Sequence, residues 1–168
     1  MARTGRSGVA ALKFVTSSLV ALVVAFPALA WADSADPIGD LLSNMAAKVK
    51  PIFGSFDLKA TLYHGGTHMS GRDSLGCKVV PMRTAAVDGV KVPRHSILFI
   101  KETVGLKLPD GSRHDGFWYA SDTGGAIHEG RIDLFTGQGA GSMSTLMPLN
   151  LAKVTVALVG KFDGCPKQ

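Results

Sequence analysis

The stretch GFWYASDTGGAIHEGRIDLF, residues 116–135, decides how the chain is read. Apolar and polar positions alternate at its start, the pattern breaks at Asp122-Thr123-Gly124-Gly125, and alternation resumes at Arg131. Two short half-buried strands around a glycine turn give this texture, because strand side chains alternate faces whereas a helix repeats every 3.6 residues. On that period Trp118, Ala120 and Asp122 share one face of the first strand. In the second strand Ile132 and Leu134 must take the core, which sends Arg131, Asp133 and Phe135 to the other face. Thr123, Gly124 and Gly125 permit close backbone approach, and Gly130 permits a turn just before Arg131. Asp122 and Asp133 are therefore expected together at one rim of the fold, with an aromatic ring nearby.

The same texture extends in both directions. Candidate strands are FDLKATLY (56–63), RTAAVD (83–88), HSILFIKETVGLKL (95–108), GFWYASD (116–122), RIDLF (131–135) and LAKVTVALVG (151–160), with PDGSRHDG supplying the turn between the third and fourth. Six short strands with glycine-rich crossings suit a small closed all-β barrel better than a sandwich. Ahead of them, Asp36 can cap a helix and Pro37 suits its first position. Ile38, Leu41, Leu42, Met45 and Val49 share one face until Pro51 stops the helix. Residues 33–54 thus read as a linker with a short amphipathic helix that packs on the barrel, and residues 55–168 as the β domain.

At the N-terminus Arg3, Arg6 and Lys13 lead into FVTSSLVALVVAF and then PALAWA. The apolar run is shorter than the roughly 20 residues of a membrane span. Ala30 and Ala32 place small residues at both cleavage-site positions, so residues 1–32 read as a secretory signal cut after Ala32. No cysteine lies there to accept a lipid, and the expectation is an exported periplasmic or extracellular protein with no membrane anchor after cleavage. Three of the 18 Lys and Arg residues leave with that signal, and against 13 Asp and Glu a balance of +2 remains. So small a charge, with no basic run, argues against nucleic acid as a partner. Cys77 and Cys165 are the two cysteines, and in an oxidising compartment the default is to pair them. A loop that long contributes on the order of 4 kcal/mol in the chain-entropy account.

Four ordered blocks, RTAAVD (83–88), VPRHSILFI (92–100), ASDTGGAI (120–127) and GRIDLFTG (130–137), resemble the Asp-Asp-Asp, or 3D, domain. That domain is the catalytic double-psi β-barrel of the membrane-bound lytic transglycosylase A family, and it also occurs in small cell-wall proteins. The resemblance spans roughly residues 60 to 140. It implies that the six-stranded barrel is of the double-psi type, with the short N-terminal helix ahead of it, and that peptidoglycan glycan strands are the substrate. The implied reaction cleaves the β-1,4 bond between N-acetylmuramic acid and N-acetylglucosamine and leaves a 1,6-anhydro end. The three name-giving aspartates fall on Asp88, Asp122 and Asp133, with Asp133 as acid/base, Asp122 tuning it and Asp88 holding the site through hydrogen bonds.

One acid/base residue suffices for such chemistry on physical grounds. Hydrolysis uses a second carboxyl to activate water or attack the sugar; here the sugar's own tethered C6 hydroxyl attacks, and proximity replaces much of that second group's work. To protonate a glycosidic oxygen near neutral pH, Asp133 needs a raised pKa, which burial or the neighbouring Asp122 supplies. Arg131, if turned inward, would act against it. Trp118 is a candidate sugar platform, with packing as its alternative; Thr123, Gly124, Gly125 and Arg131 complete the expected substrate contacts.

Other readings of these residues stay open. DTGG by itself fits a turn in which Asp122 bonds local amides. It is also the signature of a homodimeric aspartic protease, with VALVG (156–160) imitating that enzyme's later element. Ser121 stands where that signature wants an apolar residue, and the AVD and GRID blocks go unused. His64 and His68 in HGGTH have metal-like spacing, but two glycines between them argue against a helix that would align the rings. His114 and His128 lack companion ligands, and no metal or other cofactor is expected. Lytic transglycosylase A has a second domain walling its groove, whereas only the short helical segment precedes this barrel. The alternative to an enzyme is therefore a cell-wall glycan-binding module without turnover, or a barrel whose groove a cell-wall enzyme partner completes.

Overall fold

A computed structural model describes residues 41, 44, 48–67, 71–128 and 130–166. Residues 1–32, expected to be a signal, and Ile38, Leu42 and Met45 of the expected helical stripe lie outside them. Leu41, Asn44 and Lys48 are helical, and Leu41, expected on the packed face, is 58% exposed.

Six strands follow: β1 (Ser55–Gly65), β2 (Thr84–Val87), β3 (Ser96–Ile100), β4 (Phe117–Thr123), β5 (Arg131–Gln138) and β6 (Lys153–Lys161). They close into a barrel in the order β1-β5-β2-β4-β3-β6. The β1–β5 and β2–β4 pairs are parallel and the other four are antiparallel. Closure gives each of the six strands a partner on both sides, where an open sheet would leave edges that small all-β domains must protect. Alternation decides the interior: Leu58 and Ala60, Ala85 and Val87, Leu98 and Ile100, Ile132 and Leu134, and Val154 and Val156 all enter one buried cluster. Asp57, Lys59, Thr61, Tyr63 and Asp133 stand between those inward residues and lie outside the cluster.

The third strand is shorter than its sequence texture suggests, ending at Ile100 where Lys101–Thr103 form a 3₁₀ turn. Buried Thr103 donates to the Ile100 carbonyl (2.8 Å) and accepts the Trp118 Nε1–H (3.1 Å), so its hydroxyl serves the turn and the core together. Trp118 is fully buried and stacks on His114 with centroids 4.9 Å apart. Gly116, one residue before β4, sits at φ +90°, and a Cβ there would lie 2.6 Å from the Phe99 ring.

A run of 3₁₀ turns over Ala140–Leu149 has no counterpart in the sequence reading, because GSMSTLMPL carries neither a two-residue nor a 3.6-residue apolar period. Its one fully buried side chain, Leu146, joins the barrel core. Cys77 and Cys165 are bonded, with Cα atoms 5.5 Å apart and a sequence separation of 88. The bond fastens a small hairpin, in which Asp73 N–H donates to the Cys77 carbonyl and Val79 N–H to the Gly71 carbonyl, to the chain that follows β6.

Candidate functional site

Strand register brings the carboxylates together. Thr61 on β1 pairs with Asp133 on β5, Asp133 with Ala86 on β2, and Ala86 with Asp122 on β4. Residues in register project from the same side of a sheet. With strands about 4.8 Å apart, the two aspartates start from Cα positions about 10 Å apart, with Ala86 as the residue in register between them.

Strict alternation would not produce this row. Ala85 pairs with Ala120 but Ala86 pairs with Asp122, so β4 carries one extra residue, Ser121. Such a bulge resets which face the following residue takes. Ala120 and Ser121 are both buried, and Asp122 turns outward. The expectation that Asp122 shares the Trp118 face is thus corrected: the bulge moves it to the Asp133 face. Ser121 Oγ is buried without a hydrogen-bond partner.

Asp122 is held by three donors. Its Oδ1 accepts Ser74 N–H (3.0 Å) and Thr123 N–H (2.8 Å), and its Oδ2 accepts the Tyr63 hydroxyl (2.9 Å). The Tyr63 ring packs on Phe135 at 5.1 Å. Burial, then the charge and hydrogen bond of Asp122, hold the Tyr63 phenol far above its ordinary range, with Asp133 and Asp73 adding to the effect. It is therefore a fixed donor. Asp133 is half-buried, and its Oδ1 is buried with no hydrogen-bond partner. Burial is the main cause raising its pKa above the ordinary carboxylate value, and the charge on Asp122 pushes the same way. The Thr61 hydroxyl and the Leu134 amide oppose the rise.

Tyr63 and Asp73 escaped the sequence reading. Tyr63 was within reach, because alternation with Leu58, Ala60 and Leu62 places it beside Thr61 on the outer face. Asp73 lies in a hairpin with no periodic pattern. It is buried; its Oδ1 accepts Leu75 N–H (3.0 Å) and Cys77 N–H (2.8 Å), and its Oδ2 has no partner.

The remaining expected residues divide. Asp88 Oδ1 accepts the amides of Val90, Lys91 and Val92 (3.0, 3.0 and 3.4 Å), so this carboxylate ties the loop after β2. Thr123 is exposed at the end of β4. A Cβ on Gly124 would come within 2.9 Å of Ile127, a true close approach, whereas Gly125 faces open space. Gly130, at φ +78°, makes the expected turn. Trp118 is corrected as a sugar platform: its ring is fully buried between His114 and the core and offers no open face. Arg131 is exposed rather than turned inward. It lines an open cavity of about 910 Å³ with Asp88, Val90, Lys91, Ala126 and His128. Continuing the β2–β5 register by two residues puts Asp88 opposite Arg131, on the face that carries Asp133. His68 lies outside the described residues, and His64 Nδ1 is 3.1 Å from the Gly65 carbonyl oxygen. Among the described residues no group of three or more His, Cys, Asp or Glu is placed to hold a metal ion.

Residues 83–145 match the family model of the 3D domain. No curated protein sequence matches the chain. Among solved structures, the chain is similar to MltA from E. coli, with 18% identity over 58% of this chain and 29% of that one (TM-score 0.40). The lytic transglycosylase LtgG of Burkholderia pseudomallei matches with 22% identity over 56% and 27% of the two chains (TM-score 0.36). The membrane-bound lytic murein transglycosylase from Agrobacterium tumefaciens matches with 26% identity over 52% and 25% (TM-score 0.36). The chain spans less than a third of the length of each. E. coli MltA has also been solved with bound chitohexaose.

Proposed function

The chain carries a 3D domain over residues 83–145, and from that premise we propose that it is a lytic transglycosylase-like enzyme acting on the glycan strands of peptidoglycan, with a barrel of the double-psi type. The observation that carries this reading is Asp133: an outward, half-buried carboxyl with one oxygen buried and unpartnered, and a pKa raised by burial and by Asp122. A pKa raised above the ordinary carboxylate value is the direction a general acid requires.

In the proposed reaction Asp133 gives its proton to the oxygen linking N-acetylmuramic acid to N-acetylglucosamine, and the bond from C1 to that oxygen breaks. The C6 hydroxyl of the same muramic residue bonds to C1, and its proton passes to Asp133. The acid is regenerated and no water is consumed. Asp122, held by Tyr63, Ser74 and Thr123, keeps a negative charge fixed near the carbon that becomes cationic. Thr123, Gly124, Gly125 and Arg131 border the row and are the proposed substrate contacts. No cofactor takes part. The aspartic protease reading is disfavoured by Asp122, because donors from its own chain occupy both oxygens. An exported chain, periplasmic or extracellular, is supported by the disulfide; no helix among the described residues is long and apolar enough to cross a membrane.

The test is mass spectrometry of purified peptidoglycan after incubation with the protein. The expected products are 1,6-anhydromuropeptides, lost in Asp133→Asn. Products with reducing ends would mean hydrolysis. Glycan binding without products, in the protein alone and together with a cell-wall enzyme that walls the groove, would replace the enzyme with a binding module.

A further inference from the structure

The cavity beside the carboxylate row contains charge that the proposed proton transfer does not use. Lys91 and Arg131 are exposed on its wall, and among the described residues neither makes an ion pair. A Cβ on Gly130 would lie 3.7 Å from Lys91 Nζ, so the ammonium rests against the backbone immediately before Arg131. Arg131 is two residues from Asp133 on β5, hence on the same face and about 7 Å along the strand. The Asp88 carboxylate on this wall binds the amides of the turn that carries Lys91. It therefore builds the cationic corner. Val90, 85% exposed, adds an apolar contact on the same rim.

We infer that this corner is a subsite for a carboxylate borne on a short carbon stem by the glycan, next to the bond that Asp133 protonates. The inference rests on the glycan reading above and adds a specificity to it. An N-acetylglucosamine residue has no carboxylate. A muramic residue has its lactyl carboxylate when bare, or the carboxylates of its peptide when substituted, and both sources share the chemistry that Arg131 and Lys91 recognise. Arg131 can fork both oxygens of such a group while Lys91 supplies a compact charge beside them. Because both cations are solvent-exposed, their contribution is modest and salt-sensitive. The subsite sets preference among glycans more than overall affinity.

The test is equilibrium binding in an Asp133→Asn background, which prevents turnover, with three probes: chitohexaose, peptide-free peptidoglycan glycan, and peptide-bearing glycan. The two carboxylate-bearing probes are expected to bind more tightly than chitohexaose. Lys91→Gln and Arg131→Gln should each reduce that preference about three-fold, the scale of an exposed ion pair, and salt approaching 1 M should erase it. The stronger of the two carboxylate probes identifies the source. If chitohexaose binds but the preference is missing, or is unchanged in both variants, the subsite is overturned and the glycan reading stands. If no glycan binds to this background or to the unsubstituted protein, both are overturned.

Discussion

Acidification should weaken this fold through His114. The ring is fully buried. Its Nδ1 accepts the Gly116 N–H at 2.8 Å, which leaves Nε2 to carry the proton donated to the Met82 carbonyl at 2.7 Å. A second proton would have to displace the Gly116 donor. Burial is the main cause holding the pKa at about 4; the Arg83 charge also lowers it, while the Met82 carbonyl and Asp115 pull the other way. The 3.7 Å approach of Asp115 to Nδ1 is therefore no ion pair at neutral pH. In the unfolded chain the same ring takes its proton below about 6.5. Between about 6.5 and about 4 the unfolded state binds the extra proton, so stability rises with pH across this window and falls as acid is added. At 1.36 kcal/mol per pH unit the full loss is about 3 kcal/mol, a large share of the roughly 5–15 kcal/mol that holds a domain together. Asp115, lowered, also loses stability in acid, whereas Asp133, raised, acts oppositely, so a variant must isolate the histidine. His114→Gln keeps an N–H toward Met82 and cannot protonate. It forfeits the Gly116 acceptor at a cost of about 1–3 kcal/mol. Urea unfolding followed by tryptophan fluorescence from about pH 7.5 down to about pH 4 should show the wild type more stable at the upper end, and the difference shifting by about 3 kcal/mol in the variant's favour at the lower, enough to cancel or reverse it. A gap that stays constant with pH would refute the argument.

Gly116→Ala combines a left-handed backbone with a Cβ 2.6 Å from the Phe99 ring and should cost about 3 kcal/mol. Gly111→Ala, at φ +86° in open space, should cost about 1 kcal/mol, and equal urea midpoints would show the ring contact to be harmless. Tyr63→Phe keeps the stack on Phe135 and removes only the donor to Asp122; a hydrogen bond to a charged, half-buried acceptor predicts a loss of about 1.5 kcal/mol, readable as a shifted urea midpoint at unchanged slope. Replacing Cys77 and Cys165 by alanine opens an 88-residue loop and should lower stability by about 4 kcal/mol. A melting temperature equal to that of the oxidised wild type would contradict it.

The barrel strands were legible because each repeats an apolar residue every second position, as in Leu58, Ala60 and Leu62, and that period survives any choice of neighbour. What depended on pairing was not. Ser121 becomes an extra residue only when β4 lies beside β2, so the outward turn of Asp122 is a tertiary event that strict alternation assigns to the wrong face. Asp73 and the 3₁₀ run near Leu146 belong to segments whose placement follows from hydrogen bonds and a disulfide rather than from periodic burial. Trp118 is the instructive case: alternation places it with core residue Ala120, and its ring is core, although an aromatic next to the carboxylates also fits a sugar platform. Tyr63 follows the same logic in reverse, an outward aromatic beside Thr61 whose significance comes only from its hydrogen bond to Asp122, a residue on a strand that sequence alone does not place near it.

The Cys77–Cys165 bond sets an order of events. Asp122 takes one of its three donors from Ser74, in the hairpin that the bond fastens. The other half of that fastening comes after β6, when every strand of the barrel has already been made. The carboxylate row is thus complete in the chain before Cys165 is added and is locked last, by an oxidation that a reducing compartment withholds. A chain still being synthesised carries both aspartates without the finished clasp on either side of them.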